Sequence, residues 1–187
     1  GGQNAMIVDS SALPEQVVGD VLVSAFDSAG QRCSALRVLA LQDDIADRVL
    51  AMLRGALREL AVGDPADLAT DVSPLIDVEA ARGVRSHIEA MRARGFAVFQ
   101  AAVPVTTADA RIVPPTVIEI DRIGTLTREV FGPVLHVVRW RRTELDRMLD
   151  DIAATGYALT LGVHSRIDET IEAVLARARA GNVYVNR

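Results

Sequence analysis

The 187-residue sequence contains one cysteine, Cys33, so no disulfide can form within the chain. A lone thiol fits a reducing, cytoplasmic setting. Zinc-type spacing is also missing, because His87, His136 and His164 lie far apart with no second cysteine to join them. Basic clusters are scarce. The formal net charge is -5 and the sequence pI is about 5.2. The longest basic run, Arg139, Arg141 and Arg142, is interrupted by Trp140. Such a chain is a poor match to nucleic acid, whose phosphates need a basic patch. Charges interrupt every apolar stretch before it reaches the length of a membrane span, and no signal peptide is visible at the start. A Gly-x-Gly-x-x-Gly phosphate loop is absent as well.

What is present fits one soluble domain. Hydrophobic residues make up 50% of the chain and charged residues 24%, an ordinary balance for a globular core of this length. Short runs that are apolar throughout alternate with segments of helical periodicity. Strands are expected at Ala5 to Val8, Ala35 to Leu41, Phe96 to Phe99, Val117 to Ile120, Val134 to Trp140, Tyr157 to Val163 and Val183 to Val185. A helix opens near Pro14 and extends to about Phe26, since proline is tolerated in a first turn. A second carries Ile45, Val49, Met52, Leu53, Ala56, Leu57 and Leu60, with Asp43 or Asp44 as its cap and Gly63-Asp64-Pro65 as its end. A third presents Ala81, Val84, Ile88 and Met91 and stops at Gly95. Thr143 is the expected cap of a fourth, with Leu145, Met148, Leu149 and Ile152. The last carries Ile171, Val174, Leu175 and Ala178 and closes at Gly181. The stretch from Pro104 to Arg111 reads as polar loop. Strands of this kind belong in a parallel sheet covered by helices on both faces, an α/β domain spanning residues 1–187. The apolar segments close to both ends suggest a piece of a longer chain.

Cys33 sits in Gly30-Gln31-Arg32-Cys33-Ser34-Ala35-Leu36-Arg37, between a helix and a strand, where loops carry reactive groups. By position alone an inert buried thiol is the competing reading. Other motifs shift that balance. Gly30-Gln31-Arg32-Cys33 resembles the catalytic cysteine motif of the aldehyde dehydrogenase superfamily. Gly1-Gly2-Gln3-Asn4-Ala5 is similar to the family's Gly-Gly-Lys-Asn segment. Pro115-Thr116-Val117 resembles its Pro-Thr-Val element, and Glu129-Val130-Phe131-Gly132-Pro133-Val134 its Glu-x-Phe-Gly-Pro element. All occur in the family's order. Within it, Gly30 to Arg37, Tyr157 to Arg166 and the ending Gly181 to Arg187 resemble the Δ1-pyrroline-5-carboxylate (L-glutamate γ-semialdehyde) dehydrogenase branch found in bifunctional proline utilization A proteins.

The resemblance implies a parallel-sheet thiolate domain of an NAD-dependent enzyme, with Cys33 as nucleophile toward the aldehyde. It implies that Ser34 holds the substrate's α-carboxylate; a loop serine bonded to backbone is the alternative. Glu129 would accept the nicotinamide ribose hydroxyls, against a solvated loop carboxylate. Phe131 would pack near the nicotinamide ring, against a core aromatic. Gly132-Pro133 would set the turn presenting both. The family's general base and second oxyanion donor would lie upstream of residue 1, with the dinucleotide domain; the rest of the substrate loop would lie downstream. FAD is implied only for a proline dehydrogenase domain of the parent, and the parent is expected to be a homo-oligomer. Asn4 and Asn186 are read as backbone-fixing, and the histidines as packing or solvated. No metal site and no membrane contact are expected. The alternatives are a dehydrogenase of another aldehyde, an isolated domain without activity of its own, and a redox sensor on Cys33, which lacks a resolving cysteine.

Overall fold

The computed structural model describes residues 2–102, 109–157 and 159–187. Seven strands form one sheet: β1 (Asn4–Val8), β2 (Leu36–Gln42), β3 (Ala97–Gln100), β4 (Thr116–Ile120), β5 (Val134–Trp140), β6 (Thr160–His164) and β7 (Asn182–Val185). Five helices cover it: α1 (Pro14–Phe26), α2 (Asp43–Glu59), α3 (Val78–Ala93), α4 (Leu145–Ala154) and α5 (Asp168–Arg177). The spatial order of the strands is β3-β4-β5-β2-β1-β6-β7. Every pairing is parallel except that of β3 with β4, so the sheet carries one antiparallel edge strand. An antiparallel neighbour needs no crossover helix, and among the described residues none separates β3 from β4.

The period-2 alternation of strand side chains decides which residue meets which layer. Met6 and Val8 of β1 join Leu39 and Leu41 of β2 under α1 and α2. Ala5 and Ile7 join Val38 and Ala40 beneath α3, α4 and α5. β1 and β2 are buried along their whole length because both of their faces are covered.

Several expected boundaries move. Asp43 and Asp44 occupy the first turn of α2, where their charge favours the helix dipole, while Gln42 is the cap residue. The helix stops at Glu59, ahead of Gly63-Asp64-Pro65. Thr143 is not a cap. It lies in a 3-10 turn, Arg142–Glu144, where the Glu144 carboxylate accepts from the Arg141 amide at 3.0 Å. Asp77 caps α3 by accepting from Ala80 N. β6 starts at Thr160 and α5 ends at Arg177, ahead of Gly181. The polar loop expected from Pro104 to Arg111, and Gly1 and Ala158 in two of the motifs, fall wholly or partly outside the described residues. Among the described residues no helix is long and apolar enough to cross a membrane.

Candidate active site

The residues singled out by sequence gather at the amino ends of β1, β2 and β5. Ligands of open α/β sheets more often bind at the carboxyl ends of strands, so this placement belongs to the tertiary structure. Cys33 lies in the turn between a 3-10 segment, Asp27–Gly30, and β2, and it is exposed. The buried-thiol alternative is thereby overturned.

The approach to Cys33 is unusual backbone. Ser28, Ala29 and Gly30 are successive left-handed residues with φ of 56°, 54° and 64°. A residue other than glycine pays about 1–2 kcal/mol there, so surrounding contacts must hold the turn. At Gly30 only glycine fits, because a Cβ would overlap the carbonyl of Gly132 and crowd that of Ala25. The Cys33 loop therefore touches the loop that carries Glu129.

Asn4 stitches three segments at this end of the sheet. Its Nδ2 donates to the carbonyls of Cys33 and Ala35, each at 2.8 Å, and its Oδ1 accepts from Thr160 N at 3.0 Å. Two residues earlier, Gly2 N donates to Glu129 Oε2 at 3.0 Å. The opening segment thus holds Cys33 and Glu129 at one site. At the opposite end of the sheet Asn186 plays a matching part. It donates to Ser165 O at 2.9 Å and accepts from Ser165 N at 3.0 Å, extending the β6–β7 pairing. Both asparagines fix backbone.

Arg37 lies inside the cysteine motif, yet the sequence assigned it no part in the site. It is a fully buried side chain, 1% exposed. In the β1–β2 register Asn4 faces Leu36 and Ala5 faces Val38, so Arg37 is the extra residue of a bulge. Bulges re-aim a side chain. Its Nη1 donates to Gly132 O at 3.0 Å, and its Nη2 to Arg32 O at 3.2 Å and Glu129 Oε1 at 3.4 Å. Its Cζ lies 5.1 Å from the centre of the Phe131 ring. Burial pulls the guanidinium below its usual pKa and the Glu129 carboxylate pulls it back. The one signal in the sequence is a charge inside an otherwise apolar strand.

Glu129 is therefore no free loop carboxylate, since both of its oxygens are held by protein donors. Each retains lone-pair capacity for hydroxyl donors. Phe131 is 46% exposed, which excludes the core-aromatic alternative and leaves ring surface open beside the Arg37 cation. Gly132 accepts from Val134 N at 2.8 Å, closing the turn before β5. Ser34 lines a cavity of about 290 Å³ with Asn4, Arg32, Thr160, Tyr184 and Arg187, and Asp20 supplies an opposing charge there. Among the described residues no main-chain acceptor engages the Cys33 amide.

His87 and His136 pack against each other. His136 Nδ1 lies 3.2 Å from Arg37 O, so Nδ1 carries the proton and Nε2 accepts from His87 Nε2 at 2.9 Å. Burial pushes the His136 imidazole down to about 3. Among the described residues no group of three His, Cys, Asp or Glu side chains could hold a metal ion.

Comparison with known proteins places these features in a family. The family model described as the aldehyde dehydrogenase family matches residues 1–187. The chain is 61% identical to the bifunctional protein PutA of Klebsiella aerogenes, covering 100% of this chain and 15% of that protein. It is 32% identical to the 1-pyrroline-5-carboxylate dehydrogenase of Geobacillus kaustophilus, over 100% of this chain and 36% of that enzyme. A crystal structure of a proline utilization A variant from Bradyrhizobium japonicum superposes with a TM-score of 0.95 at 54% identity, covering 100% of this chain and 19% of that one.

Proposed function

The chain belongs to the aldehyde dehydrogenase family, and from that premise we propose that it is the cysteine-bearing part of a longer, NAD-dependent enzyme of proline catabolism. The enzyme oxidises L-glutamate γ-semialdehyde, formed from Δ1-pyrroline-5-carboxylate, to L-glutamate. The observation that carries this reading is the exposed thiol of Cys33, set at the amino ends of the strands beside Glu129 and Phe131. The relatives named PutA and 1-pyrroline-5-carboxylate dehydrogenase support the substrate class.

The residues divide the work. The Cys33 thiolate adds to the aldehyde carbon, forming a C–S bond and an oxyanion. The Cys33 amide, which no main-chain acceptor engages among the described residues, donates to that oxygen in this reading. The peptide before it is held through Arg32 O, which accepts from Ala35 N at 3.1 Å. NAD, when bound, supplies the acceptor for the hydride that leaves as the C–O double bond re-forms. The carbon is then a thioester on Cys33; water attacks it, the C–S bond breaks, and the carboxylate product departs. The base for that water, a second oxyanion donor and the cradle for the dinucleotide phosphates belong to other parts of the parent polypeptide.

The residues present fit the nicotinamide end of the cofactor. Glu129 is a fixed, partly buried carboxylate for ribose hydroxyls, and Phe131 offers open ring surface. Ser34, Arg32 and Arg187 give the adjoining cavity hydroxyl and cationic groups suited to the substrate's α-carboxylate. A lone cysteine fits a cytoplasmic enzyme. The isolated 187-residue chain is proposed to be inactive, since it lacks a phosphate loop.

The test is NADH production by the full-length protein with glutamate semialdehyde, for wild type and Cys33→Ala. Turnover by wild type alone supports the reading. Turnover of a different aldehyde alone would keep the chemistry and discard the substrate. Activity surviving Cys33→Ala would defeat the reading entirely.

A further inference from the structure

Arg37 bonds to two things that the chemistry needs in register. The first is the carbonyl of Arg32. A peptide unit is planar, so a donor on Arg32 O fixes the direction of the N–H at the other end of the same unit, which is the Cys33 amide. The 3.2 Å bond from Arg37 Nη2 therefore orients the oxyanion donor, and a cationic donor on the carbonyl polarises that N–H further. The second is the cofactor loop. Gly132 O accepts from Nη1 at 3.0 Å, Glu129 Oε1 from Nη2 at 3.4 Å, and the Phe131 ring lies against the same guanidinium. The side chain is fully buried, and the β2 bulge aims it between the two loops.

We infer that Arg37 is a positioning residue that locks the Arg32–Cys33 peptide and the Glu129 carboxylate into one geometry, so that oxyanion stabilisation and cofactor placement are set together. Lysine would not replace it. An ammonium is a point charge, whereas these acceptors diverge and call for the guanidinium fork. The inference rests on the proposed roles of Cys33 and Glu129.

The experiment uses the full-length enzyme as wild type, Arg37→Lys, Glu129→Gln and the double variant. Steady-state turnover is measured with NAD varied, and circular dichroism with urea denaturation checks that each variant is folded. Glu129→Gln is expected to raise the NAD KM about tenfold. Arg37→Lys is expected to lower kcat about tenfold and to raise the NAD KM, with the double variant no worse in KM than Glu129→Gln alone. Should Arg37→Lys not fold, Arg37→Met combined with Glu129→Gln removes both buried charges together; it should keep the KM of Glu129→Gln and show the kcat loss. Wild-type kcat in the Arg37 variants, or KM effects that multiply in the double variant, overturns the inference. An unchanged NAD KM in Glu129→Gln alone defeats the underlying role of Glu129, and the inference falls with it.

Discussion

The side-chain amide of Asn4 donates to the main-chain carbonyl of Cys33 at 2.8 Å, across 29 residues of sequence. With the bonds to Ala35 O and Thr160 N it joins the Cys33 loop, β2 and β6 through a single buried side chain.

Replacing Asn4 by alanine removes the side-chain partner of two carbonyls and one amide in a partly buried site. The expected loss of stability is about 3 kcal/mol, on the scale of buried groups left unsatisfied. Asn4→Asp should be no better, because a carboxylate can accept from Thr160 N but repels both carbonyls. Urea denaturation followed by circular dichroism measures both; a loss below about 0.5 kcal/mol would contradict the stitching role.

Gly30→Ala is expected to be worse than its single methyl suggests. The residue has a φ of 64° and its new Cβ would overlap Gly132 O. The loops carrying Cys33 and Glu129 must then separate, so both stability and turnover of the full-length protein should drop. Gly19, whose Cβ would meet nothing within 4 Å, is the control: Gly19→Ala should be neutral or stabilising within the helix α1.

The thiol of Cys33 is exposed, so iodoacetamide should label the folded chain once, without denaturant. Mass spectrometry of native and urea-unfolded protein checks this. Labelling only after unfolding would contradict an accessible thiol.

Acid should weaken the fold before the carboxylates titrate. His136 takes up a proton near its ordinary value of 6.5 in the unfolded chain but only at about 3 when folded. Its contribution is complete above the unfolded value and is lost as pH falls, at up to about 1.4 kcal/mol per pH unit for each such proton. Burial also lowers His87 and His164, so their protons act in the same direction. Urea midpoints should fall as pH drops from about 6.5 to about 5. His136→Leu should flatten that slope by about one proton while lowering stability throughout. An unchanged slope would show that His136 titrates normally in the fold.

Phe131→Ala removes a ring that is 46% exposed. Stability should change by less than about 1 kcal/mol, as for a surface site, whereas the NAD KM of the full-length enzyme should rise. A large stability loss with unchanged KM would make Phe131 a packing residue instead.

The layers of the fold and most of the candidate site were legible in the amino-acid sequence. Apolar runs such as Val38-Leu39-Ala40-Leu41 can be buried only when both faces of the sheet are covered, so alternation with helical periodicity specified an α/β fold. Cys33, Ser34, Glu129 and Phe131 were legible through motifs, each a local string of residues. Hydrophobic periodicity carries no strand direction, which hid the antiparallel pairing of β3 with β4. The caps expected at Asp43, Asp44 and Thr143 fall elsewhere because a capping residue is defined by backbone geometry as well as side-chain type. The remaining relations arise from long-range packing. It brought Gly2, Asn4, Cys33 and Glu129 together at the amino ends of the strands. It also aimed Arg37 through a bulge that depends on the register of β1 against β2. These relations span up to 127 residues of sequence, and hydrogen bonds over such distances leave no periodic trace in the chain.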